Sequence, residues 1–233
     1  MLSIQNLHVF YGQSHILQGV SLTVAQGETL ALLGRNGVGR STLARAIMGL
    51  VGASGTITWR GQPLLGQKTF EIARLGVGYV PESRDIFGGL TVDQNLMLGQ
   101  KKSHASITSH APYWTMDDAY AMFPLLKDRR RSDATTLSGG EQKILALCRT
   151  LMGSPSLLIL DEPTEGLSPQ MVKHIEQCLQ QLKTHGITVL LIEQKQTRTL
   201  GLSDRCAVMA YGRIVFAGAW GDLHHRPDIG YEW

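Results

Sequence analysis

Two stretches of this sequence combine residue types at spacings suited to chemistry on phosphates. The first is Gly34-Arg35-Asn36-Gly37-Val38-Gly39-Arg40-Ser41-Thr42. It follows the pattern G-x-x-x-x-G-K-[ST] at every place except the lysine, where Arg40 stands. Glycines let successive backbone N–H groups converge on one anion, which a Cβ would obstruct. A helix starting at the end of the loop adds unpaired N–H groups and the positive end of its dipole. In this pattern Ser41 offers a hydroxyl to Mg²⁺, and Arg40 occupies the place from which lysine reaches the β- and γ-phosphates. Arginine keeps the charge but replaces a compact ammonium with a planar fork. One charge-assisted hydrogen bond of about 1.5–3 kcal/mol, lost wholly from the transition state, would slow turnover roughly ten- to two-hundredfold.

The second stretch is Ser156-Leu157-Leu158-Ile159-Leu160-Asp161-Glu162, an apolar run closed by two carboxylates. Successive side chains of a strand point to opposite faces, so Asp161 and Glu162 are expected to diverge. Asp161 is the expected Mg²⁺ partner. Glu162 is the group expected to polarise an attacking water, general-base help worth roughly 10²–10⁴ in rate. A solvated strand end accounts for the same pair without chemistry; the phosphate loop in the same chain favours the chemical reading. A further stretch, Leu137-Ser138-Gly139-Gly140-Glu141-Gln142, opens a helix. Ser138 and Glu141 have capping-box spacing, and Gly139 and Gly140 would let a second anion approach the helix end. A plain cap explains the serine and glutamate but not the glycine pair.

Other elements must hold these stretches in place. Thr29 to Leu33 is an apolar run of strand length, and Leu43, Ala46, Ile47 and Leu50 recur on one face of a helix after the loop. Strand, glycine loop and helix in that order is the context the phosphate loop requires. Residues 1–28 read as β, with Val20, Leu22 and Val24 alternating with Ser21 and Thr23, and turns at Tyr11-Gly12 and Gln26-Gly27. Short strands are expected at 56–59 and 76–80. Between 84 and 136 strand signals give way to polar and helical segments, with a polar surface loop at 99–112. Ile144, Leu147, Cys148 and Leu151 form a buried stripe; Val172, Ile175, Leu179 and Leu182 keep helical spacing and stop before Gly186. Thr188 to Ile192 is β-rich, and 208–216 reads as a hairpin turning at Tyr211-Gly212. The alternation of strands and helices predicts an α/β chain with a mostly parallel sheet flanked by helices.

Composition narrows the function classes. A net charge of +3 is too small to argue for a nucleic-acid partner, and the basic tract Lys127 to Arg131 reads as a solvated helix end. The 3 cysteines are far apart and form no C-x-x-C pair, which suits a reducing cytoplasm. The first residues do not read as a secretory signal, and no apolar run approaches the roughly 18 residues of a membrane-spanning helix.

With the phosphate loop, LSGGEQ at 137–142 and LLILDE at 157–162 in this order, the chain resembles the ATP-binding subunits of ABC transporters over nearly its whole length. It is most similar to the ATPases of branched-chain amino-acid importers, through Gly76-Val77-Gly78-Tyr79-Val80-Pro81-Glu82, Leu90 to Leu96, Tyr120 to Leu126, Asp161 to Pro169 and Ile192-Glu193-Gln194. The resemblance implies a P-loop NTPase (RecA-like) core with an N-terminal antiparallel β-subdomain and an inserted helical subdomain. The core would span about 1–83 and 151–233, the helical part about 84–150. It implies ATP and Mg²⁺ as cofactors, with Tyr11 stacking on adenine, Glu82 near the metal and the membrane subunit, and Gln194 at the γ-phosphate. It also implies a second ABC ATPase subunit, each ATP lying between one phosphate loop and Ser138, Gly139 and Gly140 of the other chain. Further partners would be two transmembrane permeases and, indirectly, a substrate-binding protein, with this chain peripheral on the cytoplasmic face of the membrane. Arg40 leaves open a nucleotide-binding but catalytically weak subunit that regulates a partner ATPase. The similarity of urea and short-amide importer subunits leaves the cargo open. A soluble ABC-type ATPase acting on DNA or ribosomes is disfavoured, because the chain carries neither inserted coiled coils nor a second ATPase domain.

Overall fold

Strand parity organises the chain into two apolar cores on one central wall. The structure, a computed structural model, describes residues 1–101, 113–194 and 201–226; most of the polar stretch at 99–112 lies outside them. The strands are β1 (Leu2–Tyr11), β2 (Ser14–Val24), β3 (Thr29–Gly34), β4 (Ala53–Trp59), β5 (Gln62–Pro63), β6 (Val77–Val80), β7 (Leu157–Asp161), β8 (Thr188–Glu193), β9 (Arg205–Ala210) and β10 (Arg213–Gly218). The helices are α1 (Arg40–Ile47), α2 (Thr69–Arg74), α3 (Val92–Gly99), α4 (Met116–Met122), α5 (Pro124–Asp128), α6 (Gly139–Leu151), α7 (Pro169–Thr184) and α8 (Trp220–His224).

The central sheet has the order β10-β9-β3-β8-β7-β6. β9, β3, β8, β7 and β6 run parallel, and β10 adds an antiparallel edge. Parallel strands buried on both faces read as continuous apolar runs, which is why β3, β7 and β8 are buried at every position. Alternate residues divide between the cores. Ala31, Leu33, Leu158, Leu160, Val189 and Leu191 pack with α6 and α7. Leu30, Leu32, Leu157, Ile159, Leu190 and Ile192 pack with α1 and the second sheet. That second sheet is antiparallel, of order β2-β1-β4-β5, and turns Val20, Leu22 and Val24 inward while Ser21 and Thr23 stay exposed.

The turns follow backbone chemistry. Tyr211 (φ 49°) and Gly212 (φ 72°) join β9 to β10, both central residues left-handed as a twisted two-residue hairpin requires. The Gly212 carbonyl accepts from Gln18 N at 2.8 Å, tying this hairpin to β2. Helix α7 stops where Gly186 N donates to Lys183 O and Ile187 N to Leu182 O, both at 3.0 Å. One expectation fails for the same kind of reason. Leu50 was to continue the buried face of α1, but it is 52% exposed. Gly49 adopts φ 66° and Leu50 N donates to Arg45 O at 2.9 Å, a six-residue closure that turns the chain before the next helical position. The basic tract at 127–131 lies exposed at the end of α5. Among the described residues no helix is long and apolar enough to cross a membrane.

Candidate functional site

Strand β3 ends at Gly34, and the chain passes through 35–38 to Gly39, which caps α1 in a left-handed conformation (φ 109°, ψ 7°). Both conformation and space demand glycine there: a Cβ on Gly39 would lie 2.7 Å from Leu17 Cδ2. A Cβ on Gly34 would lie 2.7 Å from the Met209 carbonyl of neighbouring β9. The first N–H groups of α1 have no partner in a preceding turn, so this loop ends in unsatisfied donors. Arg35, Asn36 and Gly37 are exposed, Val38 half-buried, and Arg40 and Thr42 buried.

Arg40 turns its guanidinium inside the loop. It is 5% exposed, and its Nη2 donates to Glu162 Oε1 at 2.7 Å and to Asn36 Oδ1 at 3.1 Å. Its Nη1 is buried with no partner among the described residues. Glu162 does not reach this position by strand alternation, as its place in the run had implied. β7 stops at Asp161, and Glu162 takes a left-handed backbone (φ 49°) that redirects its side chain. Its N–H donates to Ile192 O at 2.9 Å, and its carbonyl accepts from Lys143 Nζ at 2.9 Å. The same ammonium holds the Glu165 carbonyl at 2.9 Å. Burial raises the Glu162 carboxyl above its ordinary range; Arg40 opposes this, while Glu165 and Glu82 reinforce it. Carboxylate oxygens of Glu82, Glu162 and Glu165 lie within 4.8 Å of one another.

Asp161 sits on the other side of the loop. Its Oδ1 accepts from Ser41 Oγ and its Oδ2 from the Tyr79 hydroxyl, each at 3.2 Å. Burial pushes its carboxyl up against the pull of those two bonds. A hydroxyl beside a buried carboxylate is a hard-oxygen pair suited to a small divalent cation. Ser41 and Asp161 therefore fit Mg²⁺. Arg45, exposed on α1, has its proton affinity raised chiefly by the nearby Tyr11 hydroxyl and to a lesser extent by that of Tyr79. Tyr11 stands 43% exposed at the end of β1.

One cleft of about 370 Å³ gathers the phosphate side of the site. Tyr11 and Ile16 line one part, Asn36, Gly37, Gly39, Arg40, Ser41 and Thr42 another, and Glu82, Glu162 and Glu165 the remainder. Gly34, Arg35, Val38, Asp161 and Gln194 are not among its lining residues; Gln194 follows β8 directly and is half-buried. Ser138, Gly139 and Gly140 open onto a different cleft of about 640 Å³, which shares only Glu82 and Glu165 with the first. Ser138 caps α6: its Oγ accepts from Glu141 N at 3.3 Å, and Glu141 Oε2 accepts from Ser138 N at 2.6 Å. Ser168 caps α7 through Met171 N. Sequence reasoning assigned no role to Tyr79, Arg45, Lys143 or Glu193. Glu193 is buried at the end of β8 and accepts from Thr164 Oγ1 at 2.8 Å. Its signal was the acidic residue closing an apolar run, the same pattern that drew attention to Asp161.

Comparison with known proteins places this geometry in a family. The family described as ABC transporter matches residues 17–165. The chain belongs to that family, among its ATP-binding, ATP-hydrolysing subunits. It is 39% identical over 231 residues to the high-affinity branched-chain amino acid transport ATP-binding protein BraG of Pseudomonas aeruginosa, covering 98% of this chain and 97% of that protein. It is 32% identical over 225 residues to the probable branched-chain amino acid transport ATP-binding protein LivF of Archaeoglobus fulgidus, covering 96% and 94%. Among solved structures it is similar to the ADP conformation of an ATP-binding cassette of an ABC transporter. That likeness has a TM-score of 0.78 and 26% identity, and covers 97% of this chain and 93% of that one.

Proposed function

We propose that this chain binds and hydrolyses ATP to energise a membrane importer for branched-chain or other hydrophobic amino acids. One observation carries the reading: Arg40, Ser41, Asp161 and Glu162 converge at a glycine loop that ends in unsatisfied N–H donors. The loop N–H groups and Arg40 receive the phosphates, and Tyr11 stacks on the base. Ser41 and Asp161 would hold Mg²⁺, with Glu82 nearby; the ion would supply neutralisation of the charge that develops on the transferred phosphoryl group. Glu162 accepts a proton from water as that oxygen attacks the γ-phosphorus and the bond to the β-phosphate breaks, releasing ADP and phosphate. Burial has already raised the carboxyl of Glu162 towards the proton affinity a general base needs. Gln194 contacts the γ-phosphate from the end of β8.

The site is half of a larger one. Ser138, Gly139 and Gly140 of a second ABC ATPase subunit close over the nucleotide, so ATP favours the joined pair and hydrolysis removes that bias. A mainly apolar groove of about 760 Å³, lined by Leu50, Phe87 and Leu98 beside Arg74 and Arg149, is the surface for a permease. Two permeases then hold the chain peripherally at the cytoplasmic face, and a substrate-binding protein delivers cargo to them.

The test is phosphate release. Glu162→Gln is expected to retain ATP and lose turnover by about 10² or more; unchanged release removes Glu162 from its role. Uptake of leucine against urea by the chain assembled with its permeases tests the cargo, and preference for urea refutes it.

A further inference from the structure

We infer that Arg40 and Glu162 form a latch that an incoming phosphate opens: in the empty chain the phosphate-binding cation is spent on the water-activating carboxylate, and nucleotide takes the cation over and releases that carboxylate. The inference rests on the nucleotide reading above and adds a regulation to it. Four observations support it. The pair is short (2.7 Å) and buried on both sides. Asn36, a residue of the loop itself, holds the same nitrogen, so the guanidinium is fixed among the N–H donors and is not extended past them. The second nitrogen, Nη1, is buried without a partner. A guanidinium is a fork whose two nitrogens match two oxygens of one phosphate, and a buried donor left unpaired is costly. A phosphate group satisfies Nη1 and competes for Nη2 at once.

The fourth observation concerns what happens after release. Glu162 shares its surroundings with Glu82 and Glu165, their oxygens within 4.8 Å. Taking Arg40 away frees the Glu162 oxygen that the guanidinium holds at 2.7 Å and leaves it beside other acidic groups, open to a water. The carboxylate is thus available to a water when the site is filled and tied to the guanidinium when it is empty. The arrangement carries a cost: each nucleotide must break the pair before it binds.

ADP is the probe, because its titration into the full chain by calorimetry involves neither hydrolysis nor a γ-phosphate. Glu162→Gln is expected to tighten ADP binding about tenfold in the Arg40 chain, the scale of a charge-assisted bond no longer broken on binding. In an Arg40→Ala background the same change is expected to alter affinity by under about twofold. Equal gains in both backgrounds overturn the latch, because they reflect only the removal of a negative charge from the cleft. Where Arg40→Ala does not fold, Glu162→Asp decides: it keeps the charge, withdraws the carboxylate from Arg40, and is expected to tighten ADP binding, whereas unchanged affinity overturns the latch. ADP uptake that is indifferent to Glu162 refutes the latch alone; absence of both ADP and ATP uptake in every form refutes the nucleotide reading beneath it.

Discussion

Glu193 should make this protein less stable as pH rises through neutrality. It closes β8, is 3% exposed, and among the described residues its carboxylate accepts one hydrogen bond, from Thr164. Burial, with some help from the charge of Glu162, pushes its carboxyl up to about 7 from an ordinary 4.5. A carboxyl whose proton affinity is raised by folding favours the folded state while protonated. That contribution is complete below pH 4.5 and is lost as pH climbs through about 7. At about 1.4 kcal/mol for each tenfold change in proton affinity, the displacement amounts to about 3 kcal/mol between the two ends of the range. Glu193→Gln keeps an oxygen for Thr164 and cannot ionise. In urea unfolding of the nucleotide-free chain, the variant and the parent should therefore nearly coincide at pH 4.5, and the variant should be the more stable by up to about 3 kcal/mol at pH 8. A gap of the same size at both ends would mean that Glu193 is ionised throughout and that its burial has been misjudged.

Two further outcomes follow from the geometry of the loop. Gly39→Ala places a Cβ 2.7 Å from Leu17 Cδ2 at φ 109°, and should cost about 2 kcal/mol or more in thermal or urea unfolding while weakening nucleotide binding; normal stability and affinity together would show that the loop can shift. Lys143→Met removes the ammonium that holds the carbonyls of Glu162 and Glu165, and should lower kcat about tenfold with KM little changed, since it repositions the base without touching the phosphate loop. A rise in KM at constant kcat would assign Lys143 to binding.

What could be read in the sequence was whatever depends on neighbours along the chain. The buried run of Thr29 to Leu33, the alternation of Val20, Leu22 and Val24, the hairpin at Tyr211-Gly212 and the cap of Ser138 with Glu141 all follow from periods or spacings a few residues long. The pairing of Arg40 with Glu162 joins residues 122 positions apart, and nothing local announces it. Arginine at the lysine position could be noticed, but its partner could not. Leu50 fell outside its expected face because periodicity carries no signal for where a helix ends, and Gly49 supplied the end. The divergence of Asp161 and Glu162 was foreseen for the wrong reason: a left-handed residue produces it, not the pleat of a strand. Glu193 escaped notice because burial of a carboxylate depends on what packs over it, here the segment carrying Thr164.

That left-handed residue sets folding against chemistry at one position. A side chain at φ 49° carries a conformational penalty of about 1 kcal/mol that glycine or asparagine would largely avoid. Either replacement would ease the backbone and delete the carboxylate. Random substitution screened only for thermal resilience should therefore enrich glycine or asparagine at position 162, and a collection of hardened variants chosen this way would be a collection of silent enzymes.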